Sequence, residues 1–226
     1  MRRILEAKAR AGLAGGTQVS LEAVDEIVAT REKLAVAAEV AERSITLVRD
    51  EFELVPMQRS DDRVLLITFG ESRDLTAGRT FDRLLGDEVE IVSARVDERT
   101  TPAEYSALRA LADSVSTVVA SVYVSPREFE GSVAADAGFA AFLETIAAEG
   151  KPVIAISFGT PYLLGSFPSV PAYMLAWGGA VVSQRAAARA LLGRAPITGS
   201  LPISLPPYYP IGAGLTRAAT LAEDPE

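Results

Sequence analysis

Lys151-Pro152-Val153-Ile154-Ala155-Ile156-Ser157-Phe158-Gly159-Thr160-Pro161-Tyr162-Leu163-Leu164 reads as a buried strand that runs straight into a capped helix. Pro152 has no N–H to give a sheet ladder and suits a strand start, and Val153 to Ile156 form a β-branched apolar run. Gly159 lets the backbone turn sharply, Thr160 can cap, and Pro161 fits the first helical position. A second short apolar run follows in Phe167-Pro168-Ser169-Val170-Pro171-Ala172-Tyr173-Met174-Leu175-Ala176-Trp177 and ends at Gly178 and Gly179. Two strand exits therefore lie close together in the chain, and a ligand or partner surface is expected beside them.

Working outward, the chain from Arg63 onward alternates apolar strands with helices. Strands are expected near 64 to 69, 89 to 95, 116 to 123, 153 to 158, 171 to 176 and 200 to 205, each a short β-branched run bounded by turn residues. Alternation of this kind predicts an α/β fold: a three-layer α/β/α sandwich around a six-stranded, mostly parallel sheet with helices on both faces. The helix near 102 to 113 carries a full start signal, with Thr101 as cap, Pro102 at the first position and Glu104 closing a capping box. The helix over 180 to 192 is alanine-rich and stops at Gly193.

Residues 1 to about 60 read as helical with one break. Leu21, Val24, Ile27 and Val28 share a helical face that Ser20 is placed to cap, and Leu34, Ala37, Ala38 and Ala41 continue the apolar stripe. Gly12, Gly15 and Gly16 interrupt the start. The expected organisation is a helical segment over 1–60 that connects from something upstream, an α/β domain over 61–215, and a solvated tail over 216–226.

Composition restricts the chemistry. The 226 residues are 49% hydrophobic, enough for a substantial core. A net charge of −8, from 22 basic and 30 acidic residues with no long basic run, argues against nucleic acid as a partner. The chain has no cysteine and no histidine, which removes thiolate nucleophiles, the Ser-His-Asp triad and the usual zinc ligands. No metal and no cofactor are expected. Phe69-Gly70-Glu71-Ser72 does not open a G-x-G-x-x-G fingerprint, and neither a Walker A sequence nor a G-x-S-x-G elbow occurs. No apolar run reaches the roughly 20 residues of a membrane helix. Glu6, Lys8 and Arg10 interrupt the stretch after Arg2 and Arg3, so no export signal is read there, and the compartment stays open.

Ligands of open α/β sheets gather outside the carboxyl ends of the strands. That rule selects Gly70, Glu71, Ser72, Arg73 and Asp74 after the first strand, Ser125, Arg127, Glu128 and Glu130 after the third, and Ser157, Gly159 and Thr160 after the fourth. Glu71 and Asp74 offer two carboxylates, the pair that glycoside hydrolysis requires, or are solvated residues favoured at a helix start. Ser157, Gly159, Thr160 and Tyr162 form either a substrate rim, with backbone N–H groups open to an anion or a sugar hydroxyl, or a structural junction. Trp177, with Tyr173, Tyr208 and Tyr209, can stack on a sugar ring or serve as core and interface.

The series KPVIAISFGTPYLL at 151 to 164, FPSVPAYMLAW at 167 to 177, SQRAAARALLGRAPITGSLPISLP at 183 to 206 and GAGL at 212 to 215 resembles the C-terminal domain of glycoside hydrolase family 3, on its bacterial β-N-acetylglucosaminidase branch. LAVAAEVAERSITLVRD at 34 to 50 is similar to the segment after that family's catalytic barrel, and ILEAKARAGL at 4 to 13 to the barrel's end. The resemblance implies a six-stranded sandwich with one strand antiparallel. It also implies a catalytic barrel as partner, with carbohydrate as a possible ligand and the barrel-facing surface as a possible homodimer contact. Glu128 and Glu130 become candidates because some members supply an acid/base carboxylate from this domain. In the β-N-acetylglucosaminidase branch a histidine-bearing barrel loop takes that role, and an exposed acidic loop is the alternative for these two glutamates. The family's nucleophile is a barrel aspartate that this chain lacks, so the chain alone is expected to be inactive. The competing expectation is a stand-alone binding or interaction module on the same fold.

Overall fold

The computed structural model describes residues 1–15, 20–57, 63–124 and 134–221. The chain forms two compact units, Met1–Ala37 and Ala38–Glu226. The first contains helix α1 (Arg2–Arg10), a 3-10 turn over Leu13–Gly15, helix α2 (Glu22–Ile27) and the first half of helix α3 (Arg31–Ser44). Leu21, not Ser20, occupies the cap position of α2, and no side chain caps that helix.

The second unit is built on a six-stranded sheet. Its elements are β1 (Thr46–Asp50), β2 (Val64–Gly70), α4 (Arg79–Gly86), β3 (Ile91–Val96), α5 (Pro102–Asp113), β4 (Thr117–Tyr123), α6 (Ala137–Ala148), β5 (Val153–Ser157), a 3-10 helix (Pro161–Gly165), β6 (Ala172–Leu175) and α7 (Val181–Leu191). The strand order is β1-β6-β5-β4-β2-β3, with β1 antiparallel to β6 and every other pair parallel.

The central strands read as unbroken apolar runs because both faces of the sheet are covered. On one face Leu65, Ile67, Phe69, Val118, Ala120, Val153 and Ala155 pack with Leu108 of α5 and with Phe139, Leu143 and Ile146 of α6. On the other Val64, Leu66, Val119, Ile154, Ile156 and Met174 meet Phe81 and Leu85 of α4 and the alanine face of α7. The three-layer α/β sandwich expected from the alternation is the observed fold. The capping box at α5 is present: Thr101 Oγ1 accepts the Glu104 N–H, and the Glu104 carboxylate accepts the Thr101 N–H at 2.7 Å. Such a cap contributes about 1 kcal/mol. Gly193, at φ 72°, ends α7 in the left-handed region where glycine costs least.

Two strand assignments are corrected. Residues 200–205 form no strand; Leu201 and Leu205 are buried anchors, and Pro202 has no N–H for a ladder. The sixth strand is β1, inside the stretch read as helical, and it is the antiparallel one. The helical pattern of α3 ends at Ser44, and the apolar run Ile45 to Val48 is wholly buried.

Side chains latch β1 to its surroundings. Arg49 donates from Nε to the Tyr209 hydroxyl at 3.0 Å and from its guanidinium to the Val170 carbonyl at 3.1 Å, and it lies over both the Tyr208 and Tyr209 rings. The Asp50 carboxylate takes the Leu54 N–H at 2.7 Å and pairs with the Arg217 guanidinium at 2.8 Å.

Candidate functional site

At the carboxyl ends of β2 and β4, on the side covered by α4 and α7, the sheet changes chemistry. The strand positions that carry Leu66 and Val119 deeper in the core carry Thr68 and Ser121 two residues on, paired across the ladder. Their hydroxyls are 2.9 Å apart, and Thr68 Oγ1 also donates to the Asp82 carboxylate at 3.1 Å. Asp82 reaches this place because α4 starts at Gly78, whose φ of 82° turns the chain inward. A Cβ at Gly78 would come within 2.6 Å of the Thr68 methyl.

Burial pushes the Asp82 carboxyl up from its ordinary 3.8 to about 6, against the opposing pull of the Thr68 hydroxyl and the Arg95 guanidinium. A carboxyl raised in the fold favours the proton there. Its stabilising contribution is complete below 3.8 and is lost as pH rises through 6. The unfolding free energy is therefore expected to fall by about 1 kcal/mol between about pH 4 and about pH 7, the full shift being discounted because Asp82 keeps partial solvent access. Urea titrations of the wild type and of Asp82→Asn test this. The extra slope should vanish in the variant, and identical slopes would refute the assignment.

Above this polar layer lies a cavity of about 220 Å³. Glu71, Asp74, Thr76 and Ala77 of the loop after β2 form one wall, and Gly179 and Gln184 before and within α7 form another. Tyr123, the last residue of β4, and Phe158, just after β5, stack with ring centroids 4.5 Å apart and planes at 6°. Gln184 holds the two helices in register: its Oε1 accepts the Thr80 and Phe81 N–H groups at 3.1 Å, and its Nε2 donates to the Gly179 carbonyl at 2.8 Å. Arg95 braces the loop by donating to the Ala77 carbonyl at 3.0 Å and to the Asp74 carbonyl.

The structure brings Glu71 and Asp74 to one cavity, each held by local bonds. Glu71 meets Arg73 Nε at 3.0 Å. Asp74 accepts the Thr76 hydroxyl at 2.9 Å and the Thr76 and Ala77 N–H groups at 3.0 and 3.1 Å. The Thr76 hydroxyl, first among these, holds the Asp74 carboxyl below its usual value. A general acid needs the opposite shift, so Asp74 is fitted to cap a turn and to accept hydrogen bonds rather than to deliver a proton. Glu128 and Glu130, with Ser125 and Arg127, lie outside the described residues.

The other predicted residues sit elsewhere. Ser157 is buried and donates to the Thr160 carbonyl at 2.6 Å, and Thr160 is buried with its hydroxyl accepting the Tyr162 N–H. Together with half-buried Gly159 they form a closed junction that caps a 3-10 helix, while Tyr162 is exposed. Trp177 donates from Nε1 to the Ser44 carbonyl at 2.9 Å and to Thr46 Oγ1 at 3.3 Å, so it ties β1 to the end of β6. Tyr123, Phe158, Gly179, Gln184 and Asp82 were not among the sequence candidates. Their one sequence signal is polar residues where apolar ones dominate: Thr68 in β2, Ser121 in β4, Gln184 in an alanine-rich helix.

Among solved structures the chain is similar to a glycoside hydrolase family 3 β-N-acetylglucosaminidase from Paenibacillus sp. FPU-7, at 24% identity and a TM-score of 0.67, over 87% of this chain and 37% of that one. A β-glucosidase from Listeria innocua aligns at 17% identity and a TM-score of 0.73, over 95% of this chain and 38% of its own. The β-glucoside phosphorylase BglX aligns at 23% identity and a TM-score of 0.67, over 85% and 35%. The chain thus has the fold of one part of these enzymes and spans little more than a third of their length. No family model and no curated protein matches it.

Proposed function

We propose that this chain is the C-terminal α/β sandwich of a family 3 glycoside hydrolase, whose whole enzyme hydrolyses β-linked sugars, N-acetylglucosaminides foremost. Its role is to brace a catalytic barrel and to offer the carboxyl-end loops of its sheet to the rim of the active site. The observation that carries this reading is the lopsided match: 85–95% of this chain against 35–38% of the three enzymes.

Exposed apolar side chains support it. In the first unit Ile4, Leu5, Leu21, Ile27, Val28, Leu34 and Val36 are all exposed, the last at 61%. Helix α1 buries no residue. Apolar faces of this kind are what a docking domain would cover. In the second unit Leu75, Tyr162 and Val181, in or beside loops that leave the carboxyl ends of the strands, are exposed as well. The same faces are where two copies would meet if the barrel were missing.

On this reading the nucleophile belongs to the barrel, and hydrolysis is not expected of this chain alone. A retaining mechanism needs one ionised nucleophile and one protonated acid flanking the bond. Of the two carboxylates at the cavity, Asp74 is shifted away from the proton-donating role. Purified chain is therefore expected to leave aryl β-glycosides intact. The deciding measurement is the intact mass of the native product, with peptide sequencing of any region upstream. A heavier product whose extra peptides build a barrel is the expected result. A native product of these 226 residues alone, or turnover by the purified chain, would overturn the reading.

A further inference from the structure

We propose that Asp82, Thr68, Ser121 and Tyr123 form a proton-controlled relay. The direction of hydrogen bonding along the four groups reverses when Asp82 gains a proton, and Tyr123, whose ring lines the cavity, then changes from a donor committed to the chain into a donor released from it.

The geometry restricts the directions. Thr68 Oγ1 lies 3.1 and 3.2 Å from the two Asp82 oxygens and 2.9 Å from Ser121 Oγ. The Ser121 hydroxyl is bonded in turn to the Tyr123 hydroxyl. Each hydroxyl has one proton to give, and an ionised carboxylate only accepts. While Asp82 is ionised, Thr68 therefore donates to it, Ser121 donates to Thr68, and Tyr123 donates to Ser121. Every donation runs toward the carboxylate, and each strengthens the next.

A protonated Asp82 becomes a donor, and among the described residues the Thr68 hydroxyl is the side-chain group within its reach. Thr68 then accepts, so its own proton turns to Ser121, and the Ser121 proton turns to Tyr123. The phenol proton is left outside the chain. Bulk water does not rescue the intermediate orientations, since Ser121 is 0% and Thr68 2% exposed, so the four groups reverse together.

The surroundings make Asp82 the group that drives the change. On β3 the Arg95 guanidinium acts on Asp82 and keeps its proton in proteins. In the loop after β2, Asp74 is held below its usual value, chiefly by the Thr76 hydroxyl. On β4, burial pushes the Tyr123 hydroxyl up, far from neutral pH. From α7 the neutral Gln184 reaches the start of α4 through the Thr80 and Phe81 N–H groups. Asp82 itself is raised by burial to about 6.

The test is carbon NMR of the full chain, following Asp82 Cγ and Tyr123 Cζ between about pH 4.5 and about pH 8. The two signals are expected to move with one midpoint, near pH 6. Ser121→Ala cuts the relay in its middle and leaves Asp82 in place: Asp82 should still titrate, and the Tyr123 response should be lost. Thr68→Val, nearly the same shape without the hydroxyl, should also silence Tyr123 and should raise the Asp82 midpoint by about 1 pH unit, because the ionised form loses its hydrogen bond. Asp82→Asn should leave Tyr123 flat, which sets aside Glu71, the carboxylate paired with Arg73 at the cavity wall. A Tyr123 signal indifferent to pH in the wild type would mean that no reversal occurs. A response that survives Ser121→Ala would mean that charge acts through space, and one that survives Asp82→Asn that another group drives it. Any of the three overturns the relay. All four groups belong to this chain, so the outcome does not depend on the barrel reading.

Discussion

Replacing Asp50 with alanine is expected to lower the unfolding free energy by about 3–5 kcal/mol, the largest effect of any single substitution considered for this chain. The Asp50 side chain is 0% exposed and pairs with Arg217 at 2.8 Å. It also accepts the N–H groups of Leu54 and Val55, at 2.7 and 3.3 Å, in the turn that leaves β1. Alanine removes the acceptor from all three donors at once and leaves a guanidinium, itself 26% exposed, without its counter-charge. Arg217 Nε still reaches the Val55 carbonyl at 2.9 Å, so the guanidinium cannot simply swing into water without giving up that bond too. Urea unfolding of the variant measures the loss. A double replacement, Asp50→Ala with Arg217→Ala, should cost clearly less than the sum of the two single changes, because the orphaned charge is gone. A single-variant loss below about 1 kcal/mol would mean that the pair is solvated and that β1 is held by packing alone.

Trp177→Ala is expected to cost about 3 kcal/mol. Trp177 is half-buried against the core face that carries Tyr173 and Leu175, and its indole N–H binds Ser44 and Thr46 just where α3 gives way to β1. It holds this position with φ at 62°, a backbone state uncommon for a non-glycine residue. The loss should be local in its signature. Amide exchange at Thr46 to Asp50 should accelerate strongly, while β2, β4 and β5, paired on both sides in the parallel part of the sheet, keep their protection. Trp177→Phe separates the two contributions: the ring body stays, the N–H goes, and about 1 kcal/mol is expected. Equal exchange rates at β1 in the wild type and Trp177→Ala would show that the indole is not the clamp.

Both predictions concern the one strand that sequence reading did not find. The five parallel strands were legible because burial on both faces forces runs such as Val64 to Phe69 and Val153 to Ile156, which no surface helix carries, and because Gly and Pro punctuate their ends. β1 had no such punctuation. It follows α3 without a glycine or proline between Ala35 and Val55, so a helical pattern could be extended through it. The residues near 200 to 205 misled in the other direction. Leu201, Ile203 and Leu205 alternate as a strand would, yet Leu201 and Leu205 are buried anchors of an irregular segment in which Leu205 forms an isolated bridge with Tyr209.

The candidate site divides in the same way. Glu71 and Asp74 were found by a rule about strand ends, and both line the cavity. The rule could not see that Asp74 caps its own turn or that Ser157 and Thr160 satisfy each other inside a closed junction. Nor could it assemble Tyr123, Phe158, Gly179 and Gln184, which are spread over some sixty residues of chain and meet only because β4, β5 and α7 end at the same place.

By itself the sequence determined the layer architecture, since alternating doubly buried strands and amphipathic helices have few ways to hide their apolar faces. It also ruled out thiol and histidine chemistry, since those side chains are absent. Only the tertiary structure decided which strand runs backwards and which polar residues share a cavity. Those outcomes depend on contacts between residues far apart in the chain, such as Arg217 with Asp50 and Gln184 with Phe81, and local pattern carries no trace of them.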